Sequence, residues 1–238
     1  MSPVTEGAGV SLDYSVAGEG DPLLLVHGLG GTDWPLGLPG TVIAYARRGY
    51  GRSGAPQPYL RTTVEEQAED AAALLSAVAG GSPAVVIGDG LGALIGLDLA
   101  RRHRPLVRAV VAIDPPLFAF VPEAAEALSA ERDALERAVR EDGPAAAVRA
   151  YVLGAGGPLE RADWAAASFR PFFADYGAAA GWEVGRRELR ALDVPLVVVD
   201  GDAPRTHVRA ASDALAALVP GARRGAADVR AEVGSLVR

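Results

Sequence analysis

Ala84-Val85-Val86-Ile87-Gly88-Asp89-Gly90-Leu91-Gly92 is the stretch that decides the fold. Residues 84–87 are small or apolar and read as a short buried strand. Leu91 to His103, with Leu94, Ile95, Leu97 and Leu99, reads as a helix packed on that strand. A strand that turns straight into a helix through glycines at 88 and 92 matches the sharp G-x-S-x-G turn, whose central side chain is a nucleophile. The two glycines let strand and helix pack closely. Here the central residue, Gly90, has no side chain. A glycine cannot attack a carbonyl, so acyl transfer from residue 90 is excluded.

Working outward, the apolar run Leu23-Leu24-Leu25 leads into Val26-His27-Gly28-Leu29-Gly30-Gly31, a glycine-rich turn. Val42-Ile43-Ala44-Tyr45 leads into Arg48-Gly49-Tyr50-Gly51-Arg52-Ser53-Gly54. After the 88–92 turn come Ala109-Val110-Val111-Ala112-Ile113-Asp114-Pro115-Pro116 and, much later, Leu196-Val197-Val198-Val199-Asp200-Gly201-Asp202. These motifs, in this order, resemble the α/β-hydrolase fold family in its small, cap-bearing branch. The resemblance implies an α/β fold, with a mostly parallel central sheet flanked by helices and a small helical cap inserted in it. It implies a core of 1–118 and 191–238 with the cap at 119–190. It also implies that the turn at 27–31 supplies a backbone N–H to an oxyanion hole, and that Asp202, or failing it Asp200, sits at the position of the family's acid.

The departures bear on function. Residue 90 lacks the nucleophile, and the stretch from Pro220 to Asp228, where the resemblance places a general-base histidine, contains none. The three histidines are His27, in the oxyanion turn, His103, near the end of the elbow helix, and His207, at the start of a later helix. The last two read as surface residues and His27 as hydrogen-bonded beneath its loop. Ala46 stands where similar proteins often carry Asp. An acid without its histidine has nothing to orient. The segment at 220–228 also reads as a poor final strand, short and without β-branched residues.

Composition sets further bounds. The chain has 238 residues, 50% of them hydrophobic, enough for one domain with a buried sheet. It has no cysteine, which excludes disulfides, a thiol nucleophile and thiolate metal sites. It has no lysine either, which excludes Schiff-base chemistry. A net charge of -7 argues against nucleic acid as a partner. Apolar runs are only strand-length and the first residues lack a secretory pattern, so the expectation is a cytoplasmic protein without a membrane span. No cofactor and no metal is expected, and self-association into a homodimer is left open.

Elsewhere the pattern alternates strand and helix. Val10 to Val16 reads as an early antiparallel strand; Thr62 and Thr63, with Glu65 and Glu66 three residues on, read as a capping box opening a helix to about 79. Residues near Thr206 cap a helix to Leu218, and 226–237 reads as a last helix.

The candidate site follows. Leu29 and Leu91 offer backbone N–H groups, a function that survives loss of the serine. Asp89 and Asp202 are the candidate catalytic carboxylates, with Asp89 alternatively an N-cap of the elbow helix. His27, Gly28, Leu29, Trp34, Gly90, Leu91 and Asp114 are the candidate binding residues, Asp114 also being open to an ordinary Asp-Pro-Pro turn. The cavity between cap and strand ends is expected to be open and largely apolar, with the Leu29 and Leu91 N–H groups converging. Aromatic residues Trp34, Tyr45, Phe118, Phe120, Trp164, Phe169, Phe172, Phe173, Tyr176 and Trp182 supply surface for a flat ligand, about half of them in contact with it. The functional expectation is non-hydrolytic chemistry on a small, partly apolar molecule: cyclisation, elimination, isomerisation or decarboxylation with oxyanion stabilisation. The alternatives are an inactive small-molecule-binding relative and a hydrolase that activates water with a carboxylate.

Overall fold

The computed structural model describes residues 4–35, 37–201 and 204–237. In chain order it begins with β1 (Val4–Glu6), β2 (Ser11–Ala17), β3 (Pro22–Val26) and β4 (Thr41–Tyr45), then α1 (Val64–Val78), β5 (Ala84–Asp89), α2 (Leu91–Arg102) and β6 (Val107–Ile113). Five helices follow before the next strand: α3 (Ala125–Asp142), α4 (Pro144–Gly154), α5 (Leu159–Ala167), α6 (Phe169–Gly181) and α7 (Arg186–Arg190). The chain then closes with β7 (Leu196–Val199), α8 (Thr206–Leu218), β8 (Ala222–Arg224) and α9 (Val229–Gly234).

The strands form one eight-stranded sheet in the order β1-β2-β4-β3-β5-β6-β7-β8. β1 and β2 pair antiparallel, as do β2 and β4; every pair from β4/β3 to β7/β8 is parallel. Side chains alternate across the sheet. Leu24 and Val26 of β3 join the core that packs α1, α2 and α8, while Leu23 and Leu25 join the opposite core with Val233 of α9. A third core lies within the inserted helices, around Leu135, Val148, Val152, Ala165 and Phe172.

Several boundaries follow local chemistry. Thr63, not Thr62, caps α1: its side chain accepts from the Glu66 N–H, and the Glu66 side chain accepts from the Thr63 N–H. The early strand starts at Ser11, with β1 paired beside it. Arg205, not Thr206, is the N-cap of α8, with no side-chain cap bond. The last strand is short, as expected: only Ala222, Arg223 and Arg224 pair with β7, from Leu196 to Val198. Their strand identity comes from a neighbour with four buried residues and not from their own propensity.

Candidate active site

The turn between β5 and α2 keeps the geometry of an elbow. Gly90 has φ +51 and ψ -118, its N–H donates to the Ile113 carbonyl at 2.9 Å, and it is the N-cap of α2. A Cβ on Gly88 would collide with the Gly92 carbonyl, and one on Gly92 with the Val26 carbonyl, so both positions demand glycine. Residue 90 differs: a Cβ there would meet only the Gly28 Cα, at 3.9 Å. The place of a nucleophile is open space bordered by the next turn.

That turn, Val26 to Thr32, is held by side chains. Thr32 Oγ1 accepts from the Gly28 N–H at 2.9 Å and donates to Asp89 Oδ2 at 2.7 Å. Asp89 therefore does not cap α2; its carboxylate reaches across to the neighbouring turn. Burial pushes its carboxyl up to about 6. The Thr32 bond opposes that rise and the Asp114 charge adds to it. His27 is buried and lies as expected beneath its loop. Its Nε2 accepts from the Arg47 N–H at 3.1 Å, so Nδ1 carries the proton and donates to the Gly28 carbonyl at 3.0 Å. Burial, with Arg47 nearby, pulls the imidazole well below its ordinary value, so it is neutral and fully engaged.

The inserted helices close down on this turn. A Cβ on Gly30 would meet Val152 and Ala165, and one on Gly31 would meet Trp164. Leu29 packs against both the main core and the core of the inserted helices. The inserted helices leave little room over that turn, while the space at Gly90 stays open. The cleft of about 270 Å³ at this turn lies to its side, lined by His27, Gly31, Thr32, Trp34, Tyr45, Ala46, Arg161 and Trp164. His27 and Trp34 are thus brought to it, whereas Gly28, Leu29, Gly90, Leu91 and Asp114 are not among its walls. Asp89 stands behind Thr32. Ala46 is short where similar proteins often carry Asp, and its place forms part of the cleft. Thr32 and Arg161 had no motif to announce them; only the four-residue step from Gly28 to Thr32 could have flagged the former.

The other end of the expected machinery is different. Asp202 lies outside the described residues. Asp200, the alternative acid, is bound by Arg224 of β8 and approached by Arg209 at 3.5 Å. Burial pushes its carboxyl up, but Arg224, Ser212 and Arg209 together outweigh this and hold it below the usual range. Arg224 thus neutralises Asp200, the alternative candidate for the acid position. The loop after β8 is spent on structure: the Ala226 N–H donates to Glu232 at 2.7 Å and Asp228 caps α9. Asp114 has φ +45 and accepts from the Gly201 N–H at 3.0 Å, tying the exits of β6 and β7 together. Its carboxyl is raised by burial.

The remaining histidines and aromatics take separate places. His103 pairs with Glu69 at 2.9 Å on a half-exposed surface. His207 is not a surface residue: its side chain is 11% exposed, between Phe118 and Glu131. Trp182 is core and donates to Asp98 at 3.3 Å. Phe172, Phe173 and Tyr176 pack with one another within the inserted helices.

A model of the alpha/beta hydrolase family matches residues 23–235. The chain belongs to that family. Within it, similar proteins include the uncharacterized hydrolase YraK of Bacillus subtilis, 36% identical over 122 residues, 46% of this chain and 43% of YraK. The putative carbamate hydrolase RutD of Azorhizobium caulinodans is 34% identical over 119 residues, 47% of this chain and 44% of RutD. The chain thus matches under half the length of these relatives. An alpha/beta hydrolase structure from Sphaerobacter thermophilus superposes with a TM-score of 0.69 at 25% identity, over 94% of this chain and 91% of that one. The enol-lactonase of Burkholderia xenovorans shares the fold, with a TM-score of 0.70 at 23% identity, over 95% and 91%. No described helix is long and apolar enough to cross a membrane, and the described residues hold no cluster of three or more His, Cys, Asp or Glu fit for a metal.

Proposed function

We propose that this family member acts on a small, partly apolar carbonyl compound by acid–base catalysis from Asp89, without an acyl-enzyme. The observation that carries the reading is the Asp89 carboxyl, raised to about 6 and bonded to Thr32 in the cleft wall. A base titrating near neutral pH accepts a proton efficiently and can return it. Thr32 relays: its Oγ accepts the substrate proton as its own passes to Asp89. Enolate or alkoxide charge then develops near the oxyanion turn, where the Leu29 N–H would stabilise it. On this reading the inserted helices serve as the cap, and Trp34, Trp164 and Tyr45 form the apolar walls. Elimination, isomerisation, cyclisation and decarboxylation all fit this machinery.

Hydrolysis by an Asp89-activated water is the second reading. The similar proteins named as hydrolases favour it, as does the open space at Gly90.

The test is a panel of small esters, lactones, carbamates and β-keto acids, run in H2¹⁸O with wild type and Asp89→Asn. Turnover that falls by about two orders of magnitude in the variant supports Asp89 as the acid–base group. Label in the product then assigns hydrolysis and its absence the non-hydrolytic reaction. Turnover unchanged in the variant defeats the proposal, and a ligand that binds without turnover in both proteins leaves a binding protein.

A further inference from the structure

Beneath the oxyanion turn lies a buried polar cluster that none of this chemistry uses. Asp175 on α6 and Arg47, in the loop after β4, pair at 2.7 Å with side chains 0% and 1% exposed. Tyr50 Oη donates to Asp175 Oδ2 at 2.8 Å, and Gln67 Nε2 donates to Oδ1 at 2.8 Å. Gln67 Oε1 accepts from Arg47 Nη1 at 2.5 Å. Burial works against the Arg47 charge, but Asp175 outweighs it and the guanidinium stays protonated. The cluster ends on one atom of the turn, the Gly28 carbonyl oxygen. That oxygen accepts from Arg47 Nη2 at 3.0 Å, from His27 Nδ1 at 3.0 Å and from the Gly31 N–H at 3.3 Å. The Gly28 carbonyl and the Leu29 N–H belong to a single planar peptide unit. A cationic donor on the carbonyl fixes the direction of the N–H and polarises it into a stronger donor.

We infer that Asp175 is a positioning residue for the oxyanion turn, acting through Arg47: an inserted helix delivers the carboxylate that holds the guanidinium, and the guanidinium holds the Gly28–Leu29 peptide with its N–H presented. This goes beyond the proposed function, because it applies whether the site transforms its ligand or only binds it. The inserted helices are then a foundation of the turn and not a hinged lid. The contacts of Gly30 with Val152 and Ala165, and of Gly31 with Trp164, join the same two parts.

The test uses the full chain and needs no substrate. In Asp175→Asn the Leu29 amide nitrogen resonance, which reports on its own peptide's carbonyl, moves. Hydrogen exchange at Gly31, bonded to the same oxygen, quickens by about tenfold or more relative to Val86 in β5. The double variant Arg47→Met/Asp175→Leu recovers stability, since a buried ion pair can be replaced by apolar groups. It still shows the displaced Leu29 resonance and fast Gly31 exchange, which a merely structural pair would not. Tyr50→Phe removes one donor to Asp175 and leaves the ring on Trp164; it speeds Gly31 about threefold. It carries the test with the double variant if Asp175→Asn does not fold. A folded variant with the Leu29 resonance unmoved, or with Gly31 and Val86 quickened equally, overturns the inference.

Discussion

The two flanks of the site are built in opposite ways. On the β3–β4 flank the polar groups are bonded to one another: Arg47, Asp175, Gln67 and Tyr50 buried beneath the turn, with Thr32 and Asp89, half-buried, behind it. On the β7–β8 flank, Asp200, Arg224, Arg209 and Asp213 form ion pairs on a mostly exposed surface. Buried, hydrogen-bonded charge holds one geometry, because any displacement leaves a desolvated group unpaired. Exposed pairs hold little, since water and salt replace them readily. The β3–β4 flank is therefore specified atom by atom, while the described residues of the β7–β8 flank are free of that demand.

The sharpest way to break this contrast is at Asp175. Asp175→Leu alone leaves Arg47 buried without its counter-ion and should lower unfolding stability by about 3–5 kcal/mol in a denaturant titration. Adding Arg47→Met should return it to within about 1 kcal/mol of wild type. A single variant as stable as wild type would remove the distinction between the flanks.

Asp89 gives the next effect. Its carboxyl is raised from 3.8 to about 6 on folding, so the folded state binds the proton more tightly. Below the lower value both states are protonated and Asp89 costs nothing. As pH rises through the window between the two values, the unfolded state ionises first and stability falls. The ceiling is about 3 kcal/mol. Asp89→Asn should flatten that slope in stability measured from pH 3 to pH 8; a slope of unchanged size places its origin elsewhere.

Gly90→Ser probes the tip. A side chain at φ +51 should lower stability by roughly 1–2 kcal/mol. There is room for the hydroxymethyl group, yet no histidine is placed to serve it: both nitrogens of His27 are engaged, and the Asp89 carboxylate is bonded to Thr32. We expect p-nitrophenyl ester turnover to stay at the wild-type background and no adduct with a serine-reactive phosphonate. Efficient ester hydrolysis in this variant would show a working base near the elbow.

The smallest effect belongs to the exposed flank. Arg224→Ala should change stability by about 1 kcal/mol or less, and less still in high salt. A loss comparable to that of Asp175→Leu would make the two flanks alike.

What could be read from sequence was what neighbours along the chain decide. The strand, turn and helix at 84–102 follow from local apolar pattern and glycine spacing, and the Thr63–Glu66 box from residues three apart. β8 was faint because its pairing with β7, not its composition, makes it a strand. At the site, Gly90 and the two turns were legible, but the place of the cleft was not. The buried cluster joins Tyr50 to Asp175 across 125 residues and Gln67 to Asp175 across 108, distances over which sequence pattern carries no signal. Asp89 was singled out, yet its partner Thr32, 57 residues away, is what turns it from the cap of a helix into a group held behind the cleft wall.

The two rims of the sheet carry a last consequence. Among the described residues each is a strand of three, Val4–Glu6 at one side and Ala222–Arg224 at the other. Arg223 and Arg224 on the second rim are tied back to Glu232, Asp200 and Asp213. A short, charged margin such as the β8 rim makes a poor template for another chain's backbone, which shields that edge of the mostly parallel sheet from ladder-like growth and amyloid-type stacking. Should two copies associate, that rim leaves them to meet through other surfaces, not by extending one sheet into the next across it.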